Sequence, residues 1–125
     1  ARRIGENSGE AICEDKACIT LGFEDGSLGT VHYIANGGSS FSKERVEVFT
    51  SGRTLQLDNF LTLRGFNWPG FKKHNLWQQD KGQVACAAAF VDAIENGSAP
   101  PISAEELFEV AKVTIDAAEI LRDQA

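Results

Sequence analysis

The chain has no apolar run near the ~20 residues of a membrane span, no run of more than two lysines or arginines and no paired-cysteine motif. Each absence removes a class of function. Without the long apolar run there is no spanning helix to predict, and no stretch reads as a signal peptide, so the expectation is a cytoplasmic chain. Without a basic cluster, and with a net charge of −6, nucleic acid is excluded as a partner, since binding it needs a concentrated positive surface. Cys13, Cys18 and Cys86 form no C-x-x-C pair, which removes a zinc or redox motif and predicts free thiols, Cys18 on a strand and Cys86 in a helix. The G-x-S-x-G elbow of serine hydrolases is missing around Ser39, Ser40 and Ser42. Nucleotide fingerprints are missing too. Glycines crowd between Leu21 and Lys43, but Lys43 follows Ser42 rather than a glycine, and Gly22, Gly26 and Gly29 are spaced four and three apart, which matches neither G-x-x-x-x-G-K-[ST] nor G-x-G-x-x-G.

What remains is an ordinary globular composition, 42% hydrophobic and 24% charged, over 125 residues. That predicts a single domain spanning 1–125 with enough chain to bury a core. The glycines read as turns of a β-sheet. Ala17, Ile19, Leu21 and Phe23 alternate with Cys18, Thr20 and Gly22, the period-two pattern of a half-buried strand. Asp25-Gly26 suits a two-residue type I′ turn, and Leu28 to Ala35 returns as the partner strand. After the loop Gly37-Gly38-Ser39-Ser40, strands are predicted over Arg45–Phe49, Thr54–Asp58 and Phe60–Arg64, with turns at Ser51-Gly52 and Asp58-Asn59. Turns this short demand antiparallel pairing. From Gly65 to Gln79 the pattern dissolves around Pro69 and Gly70, and a loop of that length is often functional.

The last third is helical. Val84, Ala87, Ala88, Val91 and Ile94 line one face of a helix from Asp80, with Gly97 at C′. Pro100-Pro101 stops it, Ser103-x-x-Glu106 is a capping box, and Leu107, Val110, Ala111, Thr114, Ala118 and Leu121 share one face of a second helix. Strands followed by helices predict an α+β fold: a mostly antiparallel sheet of about five or six strands with two C-terminal helices packed on one face.

Few residues point to chemistry. His32 lies mid-strand on the face of Leu28, Thr30 and Ile34, where it reads as substrate-facing or as a hydrogen-bonded strand histidine. Trp68, Lys72, Lys73, His74 and Trp77 populate the irregular loop, which reads as a lid over a polyhydroxylated or anionic ligand or as a surface loop anchored by its aromatics. Lys43-Glu44 reads as a charged pair reaching toward a pocket or as a solvated strand end. No catalytic constellation is visible. The open sheet face carries Cys18, Thr20 and either Val31/Tyr33 or Leu28/Ile34, depending on register; such a partly apolar surface predicts a homodimer or higher oligomer.

Taken in order, ITLGFEDGSLGTVHYIANGG, SKERVEVFTSGRTLQLDNF and DKGQVACAAAFVDAIENGSAPPIS resemble the C-terminal half of Gfo/Idh/MocA oxidoreductases, the relatives of glucose–fructose oxidoreductase and inositol dehydrogenase, over residues 10–121. Gln83 stands where that pattern has histidine. The resemblance implies an antiparallel substrate-binding and oligomerisation domain whose open face shapes a sugar or polyol pocket. It implies further that the NAD or NADP site, a Rossmann domain with a glycine fingerprint, and the catalytic E-K-P and D-x-x-x-H motifs lie outside this chain. A start at Ala1 rather than Met fits a fragment of a longer enzyme. On that expectation the chain carries no catalytic and no cofactor-binding residue, is inactive alone, and offers His32, Lys43, Trp68, Lys73 and His74 as substrate-facing candidates. The competing expectation is a free-standing dimeric interaction or ligand-binding module.

Overall fold

The structure is a computed structural model of the chain and describes residues 1–4 and 16–123. Its elements in order are β1 (Arg2–Arg3), β2 (Lys16–Gly22), β3 (Leu28–Ile34), β4 (Arg45–Thr50), β5 (Arg53–Asp58), β6 (Thr62–Phe66), β7 (Lys73–Asn75), α1 (Gln83–Glu95) and α2 (Ala104–Arg122). The fold is α+β, with seven described strands in two antiparallel sheets, β1-β2-β3 and β4-β5-β6-β7, where the sequence suggested five or six strands. The sheets are separate because β3 and β4 do not pair: the glycine- and serine-rich segment between them forms a local turn, with Phe41 N–H donating to Gly38 C=O at 3.0 Å. The chain divides into two compact units, one of Ala1–Gly37 with Ile102–Ala125 and one of Gly38–Pro101. Cys18 and Cys86 are free thiols on β2 and α1, and Cys13 lies outside the described residues.

In the first unit, the β2–β3 register sets Cys18 opposite His32 and Thr20 opposite Thr30. Partners across a ladder share a face, so Cys18 and Thr20 lie with His32, Leu28 and Ile34, which settles the alternative left open by the sequence. Leu28 is 77% exposed on that face. The other face carries Ala17, Ile19 and Leu21, with Ala17 buried, and Leu121 of α2 is buried too. Arg3 Nη2 donates to Leu121 C=O at 3.1 Å, tying β1 to the end of α2.

The β2–β3 hairpin closes differently from the expected type I′ turn. Only Gly26, at φ 83°, takes the left-handed conformation. Gly26 N–H donates to Phe23 C=O at 2.9 Å, and Phe23 N–H donates to Ser27 C=O at 3.0 Å. This is a type I turn over Glu24-Asp25 followed by a glycine bulge. The Asp25 carboxylate accepts from Ser27 N–H and Oγ at 2.9 and 2.7 Å, bonds that stabilise the type I geometry over the mirror-image turn.

In the second unit, Val46, Leu57 and Leu63 are ladder neighbours, as are Val48, Leu55 and Gly65, so one face of the sheet is apolar. The opposite face carries Glu47, Gln56, Arg64 and Lys73 in a row. Gln56 Nε2 donates to Glu47 at 2.7 Å, and Arg64 Nη1 donates to Gln56 Oε1 at 3.2 Å. The β4–β5 connection is the type I′ turn, with Ser51 at φ 47° and Gly52 at φ 72° between paired Thr50 and Arg53.

Each unit owns one helix. In α2, Ser103 and Glu106 form the reciprocal capping box that the sequence predicts. α1 begins at Gln83 rather than Asp80, because Gly82 takes φ 78° and its N–H is held by Asp80 Oδ1 at 2.7 Å. It ends as expected on Gly97. Gly97 N–H donates to Ile94 C=O and Ser98 N–H to Ala93 C=O, at 3.2 and 2.9 Å, the two bonds of a Schellman motif.

Candidate functional site

Within the second unit the segment leading into β4 meets two turns, and the three form one cleft. Leu61 N–H donates to Asp58 C=O at 3.0 Å, with Asn59 at φ 52° and Phe60 at φ 50° between them. Asparagine adopts that conformation readily. A phenylalanine there is a backbone outlier, at a cost of about 1–2 kcal/mol.

The surroundings hold that turn in place. Asn59 N–H donates to Glu44 C=O at 2.7 Å, and Phe60 C=O accepts from Asp80 N–H at 3.2 Å. Gln79 Nε2 donates to Asn59 C=O at 2.8 Å and to Asn59 Oδ1 at 3.0 Å. Lys81 Nζ pairs with Glu44 Oε1 and lies 5.9 Å from the centroid of the Phe60 ring. Strained backbone persists where surrounding contacts over-determine it, and such places are often binding sites.

The cleft encloses about 370 Å³. Ser39 to Lys43 line it from the loop before β4, and Glu44, Asn59, Gln79 and Lys81 complete the lining. Lys81 and Glu44 neutralise each other, while Lys43 makes no ion pair among the described residues. Glu44 Oε2 is buried with no hydrogen-bond partner there. The carboxylates held below their usual range lie elsewhere: Asp25 through its bonds from Ser27, and Glu106 through those from Ser103.

The structure brings one of the five candidate residues to this cleft, Lys43. His32 belongs to the first unit, on the β3 face shared with Cys18. Trp68 lies beneath the Arg53 guanidinium, 5.8 Å from ring centroid to Cζ, and closes over Gly65. Lys73 and His74 are adjacent on β7, so their side chains leave opposite faces of the sheet. Glu44 enters the cleft with Lys43, the charged pair that the sequence offered as reaching toward a pocket, whereas Asn59, Gln79 and Lys81 carry no such signal of their own in composition or periodicity. Asn59 and Lys81 stand in the LDNF and DKG stretches that carry the family resemblance, as Glu44 does in KE.

Among the described residues no group of three or more His, Cys, Asp or Glu is placed to hold a metal ion, and no helix is long and apolar enough to cross a membrane. The described strands pair only antiparallel, which does not provide the βαβ unit that seats a dinucleotide pyrophosphate. The described residues therefore do not form a Rossmann-type dinucleotide site. No protein-family model, curated protein or solved structure matches the chain.

Proposed function

We propose that this chain is the substrate-binding and oligomerisation domain of a cytoplasmic, NAD(P)-dependent sugar or polyol dehydrogenase of the Gfo/Idh/MocA type, inactive by itself. One observation carries the reading. Lys43-Glu44, Asp58-Asn59-Phe60 and Asp80-Lys81-Gly82 are far apart in sequence, carry the resemblance, and are joined at one cleft by the Glu44–Lys81 pair and the Glu44–Asn59 and Phe60–Asp80 hydrogen bonds. Three separate stretches that meet around one polar cavity support a shared binding role, and a polyol suits a lining of hydroxyl, amide and charged groups. In the intact enzyme the hydride would pass between a nicotinamide held by an upstream Rossmann domain and a sugar-type hydroxyl or carbonyl. The cleft would form part of the pocket wall. The exposed apolar side chains on the Cys18–His32 face support oligomerisation.

The test is turnover. The full-length enzyme is expected to reduce NAD or NADP with sugars or polyols, and this chain alone is expected to leave both unchanged. Turnover by the isolated chain, or an upstream reading frame without G-x-G-x-x-G and E-K-P motifs, would sink the proposal. The second outcome would favour a free-standing dimeric module.

A further inference from the structure

We infer that the cleft of the second unit takes a sugar acid, a polyhydroxylated ring or chain bearing one carboxylate. The inference rests on reading that cleft as a ligand site and adds the charge class of the ligand. The lining holds two ammonium groups, Lys43 and Lys81, and one carboxylate, Glu44. Since Lys81 is committed to Glu44, one positive charge remains, on Lys43. A monoanion matches it. A phosphate monoester, carrying about −1.5 to −2 at neutral pH, would bring excess negative charge beside Glu44.

The rest of the lining suits hydroxyls. Ser39, Ser40 and Ser42 each donate and accept. With Gln79 Nε2 occupied by Asn59, the Gln79 carbonyl and the Asn59 amide nitrogen remain uncommitted. Phe41, 70% exposed in the same lining, offers an apolar surface to the C–H face of a sugar ring. A small carboxylic acid would leave that surface and the serines unused.

The experiment is a nuclear magnetic resonance titration of the 125-residue chain with sodium D-glucuronate, D-glucose, D-glucose 1-phosphate and sodium acetate in turn. D-Glucuronate is expected to bind most tightly, to shift the amides of Ser42, Lys43, Asn59 and Gln79, and to weaken as salt is raised. Lys43→Gln removes a side chain with no ion-pair partner among the described residues, and is expected to weaken D-glucuronate about tenfold more than it weakens D-glucose. Equal affinity for D-glucose and D-glucuronate, indifference to Lys43→Gln, preference for the phosphate, or shifts confined to residues outside the cleft would each overturn the inference. Dehydrogenase activity of the full-length enzyme on neutral polyols, with D-glucuronate neither substrate nor inhibitor, would overturn it and leave the proposed function standing. D-Glucuronate binding in the cleft of a protein with no dehydrogenase activity would sustain it and remove that function.

Discussion

At Gly65 a β-carbon would sit 2.7 Å from Phe71 Cδ1 and 3.0 Å from both Phe71 O and Trp68 Cβ. The backbone oxygen cannot be moved by a side-chain rotation, so Gly65→Ala is expected to cost about 1–3 kcal/mol, read as a lowered urea midpoint at constant slope. The two hairpin turns give a second lesson at this scale. Asp25-Gly26 and Ser51-Gly52 look alike in sequence, yet only the latter pair has positive φ at both residues. The difference lies in the side chain: the Asp25 carboxylate has Ser27 to bond, while Asn67 Nδ2 reaches across to Gly52 C=O at 3.2 Å and fixes the second turn. Ser51→Asn places a residue tolerant of the left-handed region there, and is expected to stabilise by roughly 0.5 kcal/mol in the same assay.

Among the elements, α2 has the more complete start. Ser103 Oγ accepts from Glu106 N–H at 3.1 Å, and the Glu106 carboxylate accepts from Ser103 N–H at 3.0 Å. Ser103→Ala is expected to cost about 1 kcal/mol by thermal or urea unfolding. The Glu106 carboxyl is held below its ordinary 4.5, chiefly by the Ser103 backbone bond. A depressed carboxylate stabilises the folded form above its unfolded value, and the contribution disappears as pH falls through the lower folded value. Hydrogen exchange at the Ser103 amide should therefore quicken below pH 4.5 relative to its intrinsic rate, and protection unchanged down to full protonation would refute the assignment. Period-two and 3.6-residue patterns revealed every strand and helix that buries apolar residues. They missed β7, whose Lys73-His74-Asn75 has no apolar member and becomes a strand only by pairing with Thr62, Leu63 and Arg64. They also missed that Phe60 and Leu61 belong to a turn, because a bulky residue at positive φ contradicts its local preference and is held by Asn59, Asp80 and Lys81 from outside.

For the molecule as a whole, the α+β class was legible from the order of strands and helices, and the division into two sheets was not. Nothing in Gly37 to Lys43 distinguishes a loop between neighbouring strands from one between separate sheets. The cleft was legible only as fragments, since Glu44, Asn59 and Lys81 meet through tertiary contacts that spacing does not encode. The exposed Leu28 and Ile34 beside Cys18 lead to a measurable expectation: sedimentation at micromolar concentration should give a dimer or larger species, and a clean monomer would count against the oligomerisation role. The makeup of the two units also has a consequence for biosynthesis. Gly38–Pro101 is one continuous segment, whereas the other unit needs residues from both sides of it, with Arg3 bonded to Leu121. On the ribosome, where domains form as they emerge, the inserted segment can complete its hydrogen-bonded sheet while β2 and β3 still wait for α2. Nascent-chain force measurements should then detect the later segment folding first, leaving the earlier hairpin as the species that chaperones meet.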